Sequence, residues 1–433
     1  MTAARAGTEP SRAYARYVLG LLFAVYVVNM IDRNILNILL EPIKVELEVS
    51  DTLLGLLVGP AFAVFYTFAG LPIARFADRG SRRAVISIGL ALWSLMTALS
   101  AFVRNYTQLL LARIGVGVGE AACSPAAHSL ISDYVPPGRR STAFSFYAAG
   151  APAGAMVGYF VGGWIAELYG WRQAFLAVGL PGIALAGVVW WTLREPPRGR
   201  YDAEAPPDAS LGFVLSFMAR IPALRHVIWG GALHSFASLA IGSWHGPFLM
   251  RVHEMGPGEA GSWLALLSVS STLGTLAGGP VSDRLARRDT RWQMWATAWA
   301  TLAAVPFYLG FYLWPGRGAA LALAVVASAL SGFFYGPLLA VTQSLVRSNM
   351  RAVASAILLF LNNIIGLGLG PIAVGALSDR LDPVVGSHGI RYALLIVVIS
   401  NVWASAHFFW STRTLREDLQ THREAVPEPG DQP

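Results

Sequence analysis

The chain is short of charge, of lysine and of cysteine, and each shortage excludes something. Only 13% of its 433 residues are Asp, Glu, Lys or Arg, about half the share of a soluble globular protein. A string of soluble domains is therefore excluded. The sole cysteine, Cys123, rules out a disulfide framework and any zinc site of the paired-cysteine type. Lys44 is the one lysine among 32 basic residues, a bias that carries no functional reading. The polar start, MTAARAGTEPSRAYARY, leads into a long apolar stretch without a small-residue cleavage site. No cleaved signal peptide is expected.

What is present is apolar sequence. Hydrophobic residues make up 55% of the chain, in runs of about 20 residues that can each cross a ~30 Å hydrocarbon core. The pattern predicts an all-α polytopic membrane protein. Twelve transmembrane helices are expected at 17–39, 52–74, 84–103, 108–132, 143–166, 173–193, 226–250, 259–282, 293–313, 319–346, 353–378 and 392–412. The longest polar interruption, REPPRGRYDAEAPPDAS, separates spans six and seven and is rich in proline and charge, as a linker is. The expected organisation is a six-helix bundle over 1–193, a linker over 194–225, a second bundle over 226–412 and a tail over 413–433. Within the linker, SLGFVLSFMARIPALR reads as a short amphipathic helix on the membrane face.

The net charge of +7 does not point to nucleic acid, because the basic residues lie in short loops. Twenty-three sit in the N-terminus, the even-numbered loops, the linker and the tail; seven sit in the odd-numbered loops. This asymmetry puts both termini in the cytoplasm. The two halves also echo each other. ARFADRGSRR (74–83) after span two matches GPVSDRLARR (279–288) after span eight, and Pro125, Gly158 and Gly163 align with Pro337, Gly370 and Gly375 at one offset. Two similar six-span halves are a known plan for secondary transporters.

These strings resemble the major facilitator superfamily over essentially the whole chain. DRGSRR and DRLARR are similar to its cytoplasmic motif and the repeat of that motif, although Ala74 stands where the family usually has glycine. RIGVGVGEA (113–121) is similar to its span-four motif, and GWRQAF (170–175) to its start of span six. Within the superfamily the chain most resembles the spinster-type lipid transporters, through IDR (31–33), VGVGEA (116–121) and GSWHGPFLMR (242–251). After GEA it reads ACSPAAH, where animal members carry more serine, threonine and aromatic residues, which leaves the headgroup open. The resemblance implies two pseudo-symmetric bundles, a monomer, the inner membrane of a bacterial cell, and a central cavity lined by spans one and four.

Charge at bilayer depth costs at least ~2.5–3.5 kcal/mol, so it marks functional candidates. Asp32 and Arg33 in span one and Arg113 and Glu120 in span four are the four. Arg113 and Glu120 lie about two turns apart on one face; Gly117 between them is expected to leave that face open, and Ser124 extends it. Asn29, Arg33 and Asn37 follow at intervals of four, with Asp32 beside the stripe and Asn34 off its edge. Arg33 and Arg113 suit an anionic headgroup, while Asp32, and after it Glu120, suit proton exchange. The bland alternative is a salt-bridge lattice that only holds the half together. Spans seven to twelve offer His234, Ser238, Asn362 and Asn363 but no comparable central charge. One charged wall and one mostly apolar wall suit an amphipath.

At the cytoplasmic end, Asp78, Arg79, Arg82 and Arg83 are expected to face Asp133, Arg139 and Arg140. Asp283, Arg284, Arg287 and Arg288 are expected to face Arg351, as a gate. Gly115, Gly117 and Gly119 follow no strand, so they form no dinucleotide loop, and no nucleophile–base pair supports an enzyme. The function expected is proton-linked transport of an anionic amphipathic lipid, a lysophospholipid or sphingosine-phosphate-like molecule, without metal or cofactor beyond the proton gradient. Partners are that lipid and the membrane, with no nucleic acid. The alternative is a proton-coupled carrier of small organic anions or a multidrug exporter.

Overall fold

The computed structural model describes residues 11–197 and 211–424. Among them every regular element is helical. The first half begins with α1 (Arg12–Leu47); span two follows as α2 (Asp51–Val58) and α3 (Pro60–Arg79). Then come α4 (Arg82–Leu99) and span four, split into α5 (Tyr106–Glu120) and α6 (Cys123–Tyr134). Span five is α7 (Pro137–Ala148) with α8 (Gly150–Tyr169), and span six is α9 (Trp171–Thr192).

The second half runs α10 (Leu211–Arg220), α11 (Pro222–His253), α12 (Pro257–Ala286), α13 (Trp292–Leu313), α14 (Arg317–Gly332) and α15 (Tyr335–Ser344). It ends with α16 (Arg351–Asn362), α17 (Gly370–Val385), α18 (Gly389–Ser411) and α19 (Leu415–Glu424). Among the described residues ten stretches are long and apolar enough to cross a membrane, and eleven when the bent pair α10–α11 is counted as one span. The 20-residue α8 completes the twelve spans. The short helix expected before span seven is α10, which buries Val214 and Met218 and meets α11 at 101° before Pro222.

The internal repeat is visible in the helix breaks. Pro125 lacks an N–H and clashes with the carbonyl four residues back, so α5 stops at Glu120 and α6 restarts at Cys123. Pro337 does the same in the second half, where α14 stops at Gly332 and α15 restarts at Tyr335. The first span of each half also ends alike, on a left-handed glutamate: Glu48 at φ 50° and Glu254 at φ 51°.

The chain forms two compact units. One comprises the described residues within Met1–Val49, Ala61–Ala205 and Gly256–Ala265; the other those within Ser50–Pro60, Pro206–Met255 and Leu266–Pro433. Each unit thus takes a short segment from the other half of the sequence. In the first unit α1 packs on α8 and α4 on α9; in the second α11 and α13 pack on α18, and α17 on α2.

Glycine spacing sets the α1–α8 contact that positions span one. Gly150, Gly154, Gly158 and Gly162 lie four apart on α8, and each faces α1. A Cβ at Gly154 would lie 2.5 Å from the carbonyl oxygen of Val27, and one at Gly158 would lie 3.1 Å from the Cα of Ile31. With no side chains in between, the backbones approach closely, as small residues allow in lipid. The segment held this way runs into Asp32 and Arg33.

Candidate functional site

Asp32 and Arg33 are neighbours in sequence but about 100° apart around α1, and they meet different surroundings. Arg33 reaches α5. Its Nε and Nη2 both donate to Oε2 of Glu120, at 3.1 and 2.7 Å. The glutamate side chain is fully buried while that of Arg33 is 27% exposed. Oε1 of Glu120 has no hydrogen-bond partner among the described residues.

Phe62 of α3 organises the two arginines. Its ring lies 4.8 Å from the Arg33 guanidinium and 4.6 Å from that of Arg113. A ring face attracts a cation, so one buried aromatic serves two like charges. Tyr66 stacks on Phe62 at 5.4 Å and adds a second ring to Arg33 at 5.1 Å. The expectation that Gly117 leaves the α5 face open is corrected here: a Cβ there would lie 3.2 Å from the Phe62 carbonyl oxygen, so the space is taken by α3. Gly119 does the same toward α4, where an added Cβ would sit 2.8 Å from the Trp93 backbone nitrogen. The glycines of VGVGEA let two helices approach and thereby place Glu120.

Asp32 turns inward. Its carboxylate is buried, and neither oxygen meets a donor at hydrogen-bonding distance and angle among the described residues, although Thr97 and Trp93 flank it. With Thr97, Ser100 and Arg113 it lines a small cavity of about 10 Å³. Nε of Arg113 also lacks a partner, as does Nδ2 of Asn29. Buried polar groups are nearly always paired. Three such orphans on two helices mark this part of the first unit.

The remaining candidates sort differently. Asn37 and Asn34 are both engaged by Tyr159 of α8: Asn37 donates to the phenol oxygen at 3.3 Å, and the phenol donates to Asn34 at 3.0 Å. Asn34 and Asn37 thus meet the neighbouring helix α8 through one phenol. Ser124 is half-buried in the first turns of α6. In the second unit His234 is fully buried, with Nε2 3.0 Å from the Ser331 carbonyl oxygen and its ring 4.1 Å from that of Phe334. Asn362 is buried beside Gly231 with an unpartnered Oδ1; Asn363 is exposed and begins a π-helical stretch to Leu369; Ser238 is half-buried.

Of the expected gate, the structure brings one pair together. Arg82 is buried and pairs with Asp133. It also donates to Glu195 at 2.7 Å, to Ser129 at 2.9 Å and to the Pro196 carbonyl at 3.0 Å. Glu195, at the start of the linker, is the member that sequence reading missed. Burial raises its pKa, but hydrogen bonds from the Arg83 backbone, Arg82 and Ser81 outweigh it and hold the carboxyl below its ordinary value. Arg83 lies over Trp190, and Arg140 donates to the Val135 and Ser132 carbonyls. Arg139 lines a surface groove instead. The side chains of Asp78 and Arg79 lie outside the described residues. Asp283, Arg284, Arg287 and Arg288 are exposed, and among the described residues no ion pair joins them to Arg351, which donates to the Gln343 carbonyl at 3.2 Å.

A second buried ion pair was not foreseen. Arg251, at the end of the GSWHGPFLMR string, grips Asp51 with bonds of 2.6 and 2.8 Å, and Ser378 donates to the same carboxylate at 2.7 Å. Asp379 accepts the backbone N–H groups of Asp51 and Thr52 at 2.9 and 2.8 Å. The sequence offers a weak signal, Ser50-Asp51, but it reads as an ordinary helix cap.

Comparison with known proteins gives the family. The Major Facilitator Superfamily profile matches residues 22–371. An MFS-type efflux pump of Mycolicibacterium smegmatis is 34% identical over 420 residues, covering 96% of both chains. Protein spinster homolog 1 of Xenopus tropicalis is 25% identical, over 92% of this chain and 80% of that one. The crystal structure of a bacterial homolog of the human lysosomal transporter Spinster, inward-facing and unoccupied, superimposes with a TM-score of 0.87 at 30% identity, over 94% of this chain and 99% of that one. The chain belongs to the Major Facilitator Superfamily and is a membrane transporter, not an enzyme.

Proposed function

We propose that this transporter moves an anionic amphipathic lipid, of the lysophospholipid or sphingosine-phosphate kind, in exchange with or alongside protons. The observation that carries the reading is the Arg33–Glu120 pair. Arg33 is the partly exposed member, and Glu120 accepts both of its bonds on one oxygen while the other goes unused. An anionic headgroup at Arg33 competes with Glu120 for the same donors. Neutralising Glu120 by protonation weakens its hold on Arg33 and frees that guanidinium for the headgroup. Headgroup binding and proton uptake are thereby linked.

Asp32 is the second proton carrier in this reading, since its unpartnered oxygens sit beside Arg113 in the small cavity. Phe62 brings both guanidiniums close to one ring, at 4.8 Å for Arg33 and 4.6 Å for Arg113. His234, Ser238, Asn362 and Asn363 remain the candidate polar groups of the second half in this reading, since its spans carry no comparable central charge. In this reading the membrane is the inner membrane of a bacterial cell, with both termini in the cytoplasm, an orientation that the basic-loop bias supports.

Purified protein in liposomes tests this with labelled lysophospholipid, with and without a pH gradient. Flux should rise with the gradient, and Asp32→Asn and Glu120→Gln should each lose that dependence. Arg33→Ala should weaken binding of an anionic lysolipid by roughly tenfold or more, as expected for a lost charge-assisted bond, and leave a zwitterionic one little changed. Absence of lipid flux at every pH defeats the reading. The relative that is an MFS-type efflux pump favours a second one, proton-coupled export of small molecules. Competition by a tailless organic anion, but not by lysolipid, selects it.

A further inference from the structure

The first unit carries a second amphipathic site that the transport reading does not use. A groove of about 770 Å³ lies between the first turns of α1 and α7. Arg12 and Arg16 are four residues apart on α1 and so share a face; Arg139 comes from the first turn of α7. All three are exposed, and none has an acidic partner among the described residues. This sets them apart from Arg140, spent on two carbonyls of its own turn, and from Arg82, buried against Asp133. One turn on from Arg16 the lining includes Leu19, and toward the C-terminal end of α7 it includes Phe146, whose ring stacks on Phe23 at 4.8 Å.

Arginines at the start of both helices and apolar side chains further along them give the groove a charged part and an apolar part. A soluble anion would use only the first. We propose that this groove binds an anionic diacyl phospholipid of the surrounding bilayer, its phosphate held by Arg12, Arg16 and Arg139 and an acyl chain lying along Leu19 and Phe146. Arginines suit a phosphate through their planar fork, and the volume is that of a ligand-sized pocket. Arg16 and Arg33 are 17 residues apart on one helix, about 25 Å along its axis, so this is not the Arg33 site. The lipid bound here joins the start of α1 to that of α7 and becomes a bilayer-sensing contact on the helix that carries Asp32 and Arg33.

The test is a titration of the purified full chain in detergent with dioctanoyl phosphatidylglycerol, followed by thermal unfolding and by bound-lipid counting in native mass spectrometry. Phosphatidylglycerol should raise the unfolding temperature, while dioctanoyl phosphatidylcholine and glycerol phosphate should not. Arg12→Gln/Arg16→Gln/Arg139→Gln should weaken apparent affinity about 100-fold, at roughly fivefold per arginine near an anionic surface. Arg139→Gln alone, at an exposed position, should cost about fivefold and covers the case of a triple variant that fails to fold. Arg33→Ala should leave this binding unchanged, even if lipid transport itself proves absent. Equal binding of phosphatidylcholine or glycerol phosphate, full binding by the arginine variants, or loss in Arg33→Ala would each overturn the proposal.

Discussion

Arg251–Asp51 and Arg33–Glu120 are both arginine–carboxylate pairs with a fully buried acid, yet they are built to different standards. The first is bidentate, its arginine is 8% exposed, and Ser378 adds a third bond. The second uses one oxygen of the acid, leaves the other without a partner, and keeps its arginine 27% exposed. A fully satisfied buried pair is stiff, because any rearrangement strands a charge. A half-satisfied pair has less to lose and a donor set that a ligand can share. Completeness of hydrogen bonding thus separates a pair that holds structure from one that can exchange partners.

Removing Asp51 should break the stiffer pair with the largest effect. Asp51→Ala leaves Arg251 buried without its counter-charge, at a cost of about 3–5 kcal/mol, read as a fall of several degrees in Tm. Glu120→Gln should move Tm far less, since Arg33 keeps solvent contact and an amide oxygen to donate to. Equal falls would erase the distinction.

The looser pair depends on where α8 holds α1. Gly154→Ala puts a methyl 2.5 Å from the Val27 carbonyl oxygen, which forces backbone apart rather than a flexible side chain, at about 1–3 kcal/mol. Lower stability and slower transport are expected together. Gly20→Ala, on α1 with nothing within 4 Å, is the control and should be neutral. If both glycines behave alike, the α1–α8 contact does not position Arg33.

The smallest effect concerns a third arrangement, Arg82 with Asp133 and Glu195. Glu195 is held below its ordinary pKa in the folded chain, so it binds protons more weakly there than when unfolded. Its contribution is fully present above the unfolded carboxyl value of about 4.3 and is lost as pH falls through the lower folded value. Tm of the wild type should therefore drop more steeply than that of Glu195→Gln below pH about 4.3. Parallel curves would show that Glu195 is not a stabilising partner of Arg82.

Much of this was legible in the sequence. Apolar run length gave the spans, and the 212-residue offset of Pro125 and Pro337 reappears as two matching helix breaks. The superfamily strings pointed to the family that the comparisons show. Four charges at bilayer depth named the site, because charge is rare there and its cost is large. What stayed hidden lacked that contrast. Phe62 is one of 21 phenylalanines, and only the nearness of its ring to two guanidiniums distinguishes it. Tyr159 sits in a glycine-rich helix that carries no charge at bilayer depth to draw attention to it. Glu195 lay in a linker where acids are expected.

By itself the sequence determined that the chain crosses a membrane many times, repeats internally and carries Asp32, Arg33, Arg113 and Glu120 inside its apolar spans, since hydropathy and helical period act locally along the chain. Only the tertiary structure decided which acid takes which arginine. Side chains one residue apart diverge by about 100° around a helix, and the partner each one meets depends on neighbouring helices whose approach is set by Gly119, Gly154 and Gly158.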